Sequence, residues 1–378
     1  MNDFREKTLQ ELAAKSGAVS SRFALVGFDG FVDRIVHPID ERQGPGDRFR
    51  RIDTMAAFAR RVEAASGHST NIEIHTLVEK IGGNGPIMAN ALLRAGMDVH
   101  YIGALGRPTV HPVFESFAAG TNAISVGNPG VTHALEFQDG KVMLGAMESF
   151  DEIDFARILR EGGEGLVTDL ISRADMLAFV NWTMMPHMTG ILHGILDRIL
   201  PNLGPRDRRS FFGDLSDPEK RSDGDLLTVL RMLRRFALHG RMVLGLNLKE
   251  ALRIDRVMGN APGSTDPAGL RLMASRLRKQ LDIHQVVIHP TDGAACATKT
   301  GDFYTPGPFV RVPRITTGAG DHFNAGYMLG ETLELSPESC LVLAVAFSGW
   351  YVSKGTSPSL LDVESFIRQW QADAPRFE

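Results

Sequence analysis

Strand-length apolar runs alternate with segments of helical periodicity along nearly the whole chain. The predicted strands are Phe23–Phe28, Val99–Gly103, Met176–Val180, Phe211–Asp214, Met242–Leu246 and Gln285–His289. The predicted helices include Gly85–Ala95, Met188–Leu200, Leu226–Leu238 and Ala268–Leu281. Because apolar strands that alternate with helices pair in parallel, this pattern predicts an α/β fold with a mostly parallel sheet covered by helices.

Composition limits the class of protein. The chain has 378 residues, of which 43% are hydrophobic and 23% charged, enough for one large α/β domain spanning residues 1–378. Its formal net charge of −4 and its short basic runs give no electrostatic reason to expect a nucleic-acid partner. The charged segment Met1–Gln10 lacks the apolar core of a secretory signal, and no apolar stretch reaches the ~20 residues of a membrane span. We therefore expect a cytoplasmic protein with no membrane partner, in which Cys296 and Cys340 are core residues.

The sequence TTGAGD at residues 316–321 lies between a strand-like segment, Phe309–Ile315, and an apolar helix, His322–Glu331. Glycines in such a turn let backbone N–H groups point into a concavity at the helix N-terminus, which favours phosphate oxygens. Asp321 at the mouth of that concavity can take a proton from an attacking alcohol. The same residues are also typical of a glycine-rich turn followed by a capping Asp.

The run ITTGAGDHFNAGYMLG, residues 315–330, closely resembles the C-terminal signature of the ribokinase-like (PfkB) family of carbohydrate and nucleoside kinases. The resemblance covers nearly the whole chain, and further motifs follow in the family's order. It implies a three-layer α/β/α fold with a small β-sheet lid, and an ATP-dependent kinase that uses Mg²⁺. It also implies that Asp321 is the catalytic base and that the backbone of Gly318, Ala319 and Gly320 forms an anion hole.

The run IGGNGPIMANALLRAG, residues 81–96, resembles the family's N-terminal signature. Its glycines allow close approach of a substrate to the backbone, and the Asn side chain offers both a donor and an acceptor for a polyol. The resemblance implies that Gly82, Gly83 and Asn84 hold the sugar, although a glycine turn that begins a helix has the same composition. Ile87 stands where many members have an Asn.

Asp33 follows the first predicted strand, where the family uses an Asp to bind sugar hydroxyls. A carboxylate that accepts hydrogen bonds from two hydroxyl groups selects a diol. Asp29 competes for this role, and either residue would also suit the organisation of a turn.

Asn247 and Glu250 resemble the family's N-x-x-E motif, which helps organise magnesium and phosphate, often through water. The same spacing predicts a helix capping box, and the two roles are compatible.

Residues 286–294 resemble the family's strand and turn beside the nucleotide. That likeness implies nucleotide contacts from Thr291 and Gly293, with Gly355 on the wall of the adenine pocket.

Two segments, residues 33–80 and 131–147, interrupt the strand and helix alternation. The second is β-rich and contains the turn Asp139-Gly140, which predicts a hairpin of Val131–Gln138 and Lys141–Met147. The resemblance implies that both segments form the lid over the sugar site, through which a homodimer can form. An added stretch, Gly44–Gly67, with a helical middle at 52–65, makes this lid atypical.

The leading interpretation is an ATP-dependent kinase that phosphorylates a hydroxyl, expected to be a primary alcohol, of a sugar or polyol. A nucleoside kinase and an ADP-dependent sugar kinase are alternatives on the same fold, since the GGNGPIMAN sequence also resembles the acceptor loop of ADP-dependent sugar kinases. A third alternative is a catalytically idle sugar-binding regulator. The retained Asp321 and its flanking glycines argue against that alternative.

Many relatives hold an activating potassium ion through an Asp whose place is taken here by Ile315.

Overall fold

A computed structural model describes residues 4–204, 206–372 and 376–377 of the chain. Its strands in the described ranges are β1 Phe23–Phe28, β2 Phe31–Arg42, β3 Phe49–Arg51, β4 Ile74–Gly82, β5 Asp98–Gly103, β6 Ile124–Ser125, β7 Gly130–Phe137, β8 Gly140–Ala146, β9 Met176–Phe179, β10 Ser210–Asp214, β11 Arg241–Asn247, β12 Gln285–His289, β13 Gly293–Ala297, β14 Asp302–Pro306, β15 Phe309–Val310 and β16 Arg376–Phe377. The α-helices there are α1 Phe4–Lys15, α2 Met55–Ala64, α3 Asn84–Arg94, α4 Glu115–Gly120, α5 Phe155–Gly162, α6 Glu164–Arg173, α7 Met188–Gly194, α8 Asp223–Phe236, α9 Leu248–Val257, α10 Pro267–Leu281, α11 Ala319–Thr332, α12 Pro337–Lys354 and α13 Leu360–Ala372.

The central sheet has the strand order β14-β13-β12-β11-β10-β9-β1-β5-β6. Neighbours from β12 to β6 run parallel, and β13 and β14 are added antiparallel at one edge. The predicted strands agree with β1, β5, β9, β10, β11 and β12 to within one residue at either end. This confirms the predicted α/β fold with a mostly parallel sheet.

Helices cover both faces of this sheet. Along β1, Phe23 and Leu25 belong to one hydrophobic cluster, whereas Ala24 and Val26 belong to another, because successive strand residues point to opposite faces. The first cluster includes buried side chains of α6, α7, α8, α9 and α10, and the second includes those of α1, α3, α11, α12 and α13. The molecule therefore has the predicted three-layer α/β/α arrangement.

A separate small sheet forms the lid. Its central strand β2 pairs parallel with β7 and antiparallel with β4, and β7 pairs antiparallel with β8 across the Asp139-Gly140 turn. The added stretch contributes β3 and α2, and α2 is shorter than the helix predicted over 52–65. Ala57 and Phe58 of α2 pack on a small cluster formed by Val36, Leu135 and their neighbours. One face of the lid sheet thus has its own hydrophobic core.

Two predicted elements differ from the structure. The strand expected over Phe309–Ile315 is reduced to β15, because Pro313 cannot donate a ladder hydrogen bond and residues 311–318 form bends and a turn. Helix α11 begins at Ala319, three residues before the predicted start at His322. The helix predicted over Met188–Leu200 is α7 followed by a π-helical turn, Ile195–Ile199.

Cys296 and Cys340 are buried free thiols, as expected for core residues. Within the ranges described, no helix has the length and apolarity needed to cross a membrane.

Candidate active site

Polar side chains stand at the carboxyl ends of neighbouring parallel strands. Asp29 follows β1 and Asn181 lies just beyond β9, while Asp214, Asn247 and His289 are the last residues of β10, β11 and β12. In open α/β sheets, ligands bind in the crevice outside these strand ends. The candidate site is therefore at this edge of the sheet, where β1 passes directly into the lid strand β2.

Asp29 holds the predicted acceptor loop in place. Its two carboxylate oxygens accept hydrogen bonds from the backbone N–H groups of Asn84 and Gly85, both at 2.9 Å. The side-chain amide of Asn181 donates to the same carboxylate at 2.6 Å, and Asp29 is fully buried. Burial raises the pKa of Asp29 to about 6, in spite of these hydrogen bonds. Of the two competing carboxylates, Asp29 thus organises the loop, which leaves Asp33 as the candidate for binding an acceptor.

Asp33 lies on β2 between two cross-strand partners, Lys80 of β4 and Thr132 of β7. Burial raises the pKa of Asp33, and the charge of Lys80, a hydrogen bond with Thr132 and the charge of Lys141 oppose that effect. Gly82 lies against the Asp33 carboxylate so closely that a Cβ atom would overlap it. This close contact places Asp33 beside the predicted acceptor loop.

The TTGAGD sequence forms a turn that leads into α11. Gly318 has a φ of 93°, in the left-handed region that favours glycine, and it is the N-cap of the helix. The backbone N–H of Ala319 donates to the carbonyl oxygen of Thr316 at 3.2 Å and closes the turn. The N-terminus of α11 therefore lies at the carboxyl edge of the sheet with Asp321 in its first turn.

Asp321 meets the acceptor loop directly. The side-chain amide of Asn84 donates to Asp321 Oδ1 at 2.8 Å. Burial, and then the nearby charge of Asp214, raise the pKa of Asp321 well above its ordinary value. A carboxylate with a raised pKa is a stronger base toward a hydroxyl proton.

Lys141 connects the lid to the turn before α11. Its Nζ donates to Thr317 Oγ1 at 3.1 Å, and its charge also acts on Asp33. Sequence reasoning assigned no role to Lys141 or to Lys80. Nothing local in the sequence indicates one, because the pairing of the lid strands decides which side chains flank Asp33.

Asn247 and Glu250 form the predicted capping box at the start of α9. The Glu250 N–H donates to Asn247 Oδ1 at 2.9 Å, and Glu250 Oε2 accepts from the Asn247 N–H at 3.0 Å. Glu250 Oε1 also accepts from the Asp217 N–H at 2.9 Å. Both oxygens of this carboxylate are therefore engaged by the backbone.

Asp214 is a buried carboxylate that sequence reasoning missed. Asn324 donates to its Oδ2 at 2.7 Å, and the Ser216 N–H donates to its Oδ1 at 2.9 Å. Burial raises the pKa of both Asp214 and Glu250, and the charge of Asp214 contributes to the shift of Glu250. The available signal was a carboxylate at the end of an otherwise apolar buried strand.

These oxygen donors suit magnesium chemically, but they do not enclose an ion. In the described part of the chain, no group of three or more His, Cys, Asp and Glu side chains is arranged to hold a metal. Mg²⁺ commonly keeps several waters and binds through substrate phosphates with few protein ligands. The donor set is therefore compatible with a magnesium ion that is bound chiefly through nucleotide phosphates and water.

The predicted nucleotide residues Thr291 and Gly293 lie at the turn between β12 and β13. Thr291 is exposed, whereas Gly293 is buried so tightly against the Tyr304 ring and the Thr305 carbonyl oxygen that a side chain would overlap them. His289, at the end of β12, reaches the first turn of α11, since its Cε1 atom lies 3.5 Å from where a Cβ of Gly320 would be. Desolvation lowers the pKa of His289 to about 4.

Gly355, the third predicted nucleotide residue, is the C-cap of α12 with a φ of 77°. It lies next to Arg314 and lines a groove with Tyr351 and His322. The structure thus brings Asp33, Gly82, Asn84 and Asp321 together, and it places Gly355 beside the groove.

A helix-covered parallel sheet with a β-sheet lid and an Asp at a glycine-rich helix N-terminus defines the class of ribokinase-like kinases. Three solved structures share this fold. A probable sugar kinase from Rhizobium etli CFN 42 aligns with a TM-score of 0.60 and 17% identity over 93% of this chain and 98% of that chain. A carbohydrate kinase from Agrobacterium tumefaciens aligns with a TM-score of 0.63 and 16% identity over 92% of this chain and 97% of that chain. A ribokinase from Thermotoga maritima aligns with a TM-score of 0.58 and 15% identity over 92% of this chain and 99% of that chain.

The family model for prokaryotic ketohexokinase matches residues 7–370, and the chain belongs to this family. A ketohexokinase from Haloferax volcanii is 27% identical over 344 residues, which is 90% of both chains. These findings confirm the resemblance to the ribokinase-like family. The protein is a sugar kinase, an enzyme that transfers a phosphoryl group to an alcohol.

Proposed function

We propose that the protein transfers the γ-phosphoryl group of ATP to a primary hydroxyl of a ketohexose. The family and the Haloferax volcanii ketohexokinase support this acceptor class. The observation that carries the proposal is the 2.8 Å hydrogen bond from Asn84 to Asp321. It joins the loop proposed to bind the sugar to the helix N-terminus proposed to bind the phosphoryl group, as an in-line transfer between them requires.

Asp33 and the acceptor loop would orient the sugar. The Asp33 carboxylate accepts hydrogen bonds from two neighbouring hydroxyls, while the absence of a side chain at Gly82 and Gly83 lets the sugar approach the backbone. Asn84 adds polar contacts from its side-chain carbonyl oxygen and from its second amide hydrogen, since one of its two N–H donors binds Asp321.

Asp321 would act as the base. The attacking hydroxyl oxygen forms a bond to the γ-phosphorus, its proton moves to the Asp321 carboxylate, and the bond from the γ-phosphorus to the bridging oxygen breaks to release ADP. Backbone N–H groups of Gly318 and Gly320 would stabilise the charge that develops on the transferred group, and the Ala319 N–H, which donates to Thr316 in this structure, would join them only by leaving that bond. The proximity of Lys141 to this turn adds a positive charge from the lid.

The nucleotide would lie along the ends of β11 and β12, with contacts from Thr291, Gly293 and Gly355. Bound Mg²⁺ neutralises phosphate charge in such reactions. Asn247 and Glu250 would orient water around the phosphates, since the direct hydrogen bonds of Glu250 are made to the backbone.

The test is a panel of acceptors and donors with the purified enzyme. ADP formation from ATP is measured with D-fructose and other ketohexoses, aldohexoses, ribose and adenosine, and each acceptor is repeated with ADP as donor and AMP as product. We expect kcat/KM for one ketohexose with ATP to exceed that of every aldohexose and nucleoside by at least about tenfold, since buried hydrogen-bonding sites discriminate strongly. Phosphorus NMR of the product should show the phosphate on a CH₂ carbon.

Other outcomes would identify the alternatives. Preference for adenosine would indicate a nucleoside kinase, and turnover with ADP alone would indicate an ADP-dependent enzyme. A ketohexose that raises the melting temperature without turnover would indicate an idle regulator, because a ligand at 100 times its Kd stabilises the fold by ~2.7 kcal/mol.

A further inference from the structure

A chain of hydrogen-bonded side chains lies behind the turn that leads into α11. His322, the residue after the proposed base, is 1% exposed. Its Nδ1 lies 2.7 Å from the carbonyl oxygen of Gly318, and its Nε2 lies 2.9 Å from Ser357 Oγ. Asn90 of α3 donates to the same Ser357 oxygen at 3.1 Å. Sequence reasoning gave His322 no role beyond packing, yet both of its ring nitrogens are engaged.

The partners determine where the imidazole proton lies. A carbonyl oxygen only accepts, so the His322 Nδ1 must carry the hydrogen that is donated to Gly318. Because Asn90 donates to Ser357 Oγ, the Ser357 hydroxyl is free to donate to the His322 Nε2. Burial lowers the pKa of His322 to about 4, so this neutral tautomer persists at neutral pH.

Tyr351 engages the preceding carbonyl. Its hydroxyl donates to the carbonyl oxygen of Thr317 at 3.0 Å. The ring stacks on the imidazole of His322, with centroids 3.7 Å apart and an interplanar angle of 14°. Two stacked side chains therefore donate to two consecutive backbone carbonyls.

Those two carbonyls belong to the peptide units on either side of Gly318. In a planar trans peptide the C=O and the following N–H point in opposite directions. A donor that holds the Thr317 carbonyl therefore also sets the direction of the Gly318 N–H. In the same way, a donor on the Gly318 carbonyl sets the direction of the Ala319 N–H, which donates to the Thr316 carbonyl oxygen and closes the turn. Glycine offers little resistance to rotation of its neighbouring peptide units. The Gly318 carbonyl also accepts the backbone N–H of His322 at 3.1 Å, so the imidazole adds a second donor to a carbonyl that the helix already engages.

We propose that His322 and Tyr351 are positioning residues that hold the Gly318 turn closed, so that the Gly318 and Gly320 N–H groups stay directed at the transferred phosphoryl group. This inference rests on the proposed function of that turn. Neither side chain needs to touch substrate, because each acts through a carbonyl that it binds from behind. A groove of about 480 Å³, lined in part by Asn90, Ser357 and Tyr351, borders this chain of hydrogen bonds.

The test compares variants that keep or remove each donor. His322→Phe keeps an aromatic ring but loses the Nδ1–H, whereas His322→Asn retains an amide N–H at about the place of Nδ1. We expect His322→Phe to lower kcat by about 10- to 100-fold, below the loss for a direct oxyanion donor, with KM for sugar and nucleotide within about threefold. His322→Asn should recover most of kcat. Tyr351→Phe should lower kcat with the same pattern.

Tyr327→Phe is the matched control. Tyr327 is a buried Tyr on α11 whose hydroxyl donates to Gln285, away from the turn. It should lower the melting temperature and leave kcat unchanged. The proposal is overturned if His322→Phe keeps kcat within twofold of the parent, if His322→Asn is as impaired as His322→Phe, or if Tyr327→Phe lowers kcat equally.

The acceptor panel separates this failure from failure of the proposed function. If another sugar is the true acceptor, the variants are compared with that sugar and the positioning inference is still tested. If Asp321→Asn abolishes turnover while His322→Phe and Tyr351→Phe do not change it, only the positioning inference fails.

Discussion

The buried carboxylates of the site differ in what their oxygens already accept. Asp29 and Glu250 receive backbone N–H groups on both oxygens, so their capacity for further partners is small. In the described part of the chain, the Asp321 carboxylate accepts from the Asn84 amide alone. This difference leaves Asp321 able to take a proton, and it leads to predictions for single residues.

Replacing Asp321 with Asn should remove the base while keeping its shape. We expect kcat to fall by at least ~10²-fold with nucleotide affinity little changed, the range for loss of a general base. Steady-state kinetics and nucleotide titration measure the two quantities. Asp169→Asn on the exposed side of α6 is the control, and near-normal turnover of the Asp321 variant would refute the assignment.

Glu250→Gln tests the proposed role toward magnesium. Sequence reasoning predicts a higher Mg²⁺ requirement with little loss of stability. The structure instead predicts a loss of stability, because a Gln side chain offers one oxygen where two backbone N–H groups need acceptors. We expect the free energy of unfolding to fall by about 1–3 kcal/mol. Mg²⁺ titrations at saturating ATP and thermal melts measure both effects. An unchanged Mg²⁺ curve with lower stability would show that Glu250 serves only as a cap.

Ile315 predicts weak activation by monovalent cations. An apolar side chain cannot supply the hard oxygen ligand that such an ion needs, and desolvating an unpaired cation against it is costly. We expect turnover to change less than about threefold between sodium, potassium and bulky organic-cation buffers at equal ionic strength, a coupling below ~1 kcal/mol. Tenfold activation by potassium would show that backbone carbonyls suffice for a cation site.

At the scale of elements, the lid depends on the helix added within it. Helix α2 packs Phe58 on the lid sheet, where its ring lies 5.5 Å from that of Phe137. The same sheet carries Asp33 and Lys141, so the order of the lid is linked to the shape of the proposed acceptor site. The inserted segment is therefore expected to affect sugar binding without contact to the sugar.

Phe58→Ala should loosen the lid. Removing this partly buried ring leaves a gap in a small core, which we expect to raise the acceptor KM by about 3- to 10-fold and to speed hydrogen exchange over residues 130–146. The nucleotide KM and the main melting transition should change little. Leu238→Ala, at a site that is 74% exposed, is the control. An unchanged acceptor KM would show that α2 does not support the site.

At the scale of the whole molecule, exposed apolar side chains are concentrated on the lid. Leu77 and Val78 of β4 and Met143 and Leu144 of β8 are each between 43% and 53% exposed. Apolar surface of this kind commonly marks an interaction site. The homodimer through the lid that the sequence suggests therefore stays a prediction with identified residues.

Sedimentation velocity should give a mass of about twice the 41.3 kDa of one chain. Val78→Glu and Leu144→Glu should shift the protein toward monomer, because a buried unpaired carboxylate is costly. A parent enzyme that sediments as a monomer at assay and at tenfold higher concentration would contradict the prediction.

Local pattern was sufficient for most of the fold. The strands β1, β5, β9, β10, β11 and β12 are apolar runs bounded by polar residues, and burial on both faces enforces that composition whatever the packing partners are. The lid hairpin follows from its Asp-Gly turn, and the glycines at 82, 83 and 318 follow from close approach or positive φ. Such signals depend only on neighbours along the chain.

The roles of individual polar residues were decided by tertiary structure. Asp29 and Asp33 are equivalent in sequence, and only packing engages one with the loop at Asn84 and the other with the lid. Asn84 and Asp321 are 237 residues apart, Asp214 and Asn324 are 110 residues apart, and His322 and Ser357 are 35 residues apart. A hydrogen bond requires two groups within about 3 Å of each other. Only the folded chain brings such groups to that distance, so the local pattern predicted which residues were candidates, and the packing of distant elements decided what each one contacts.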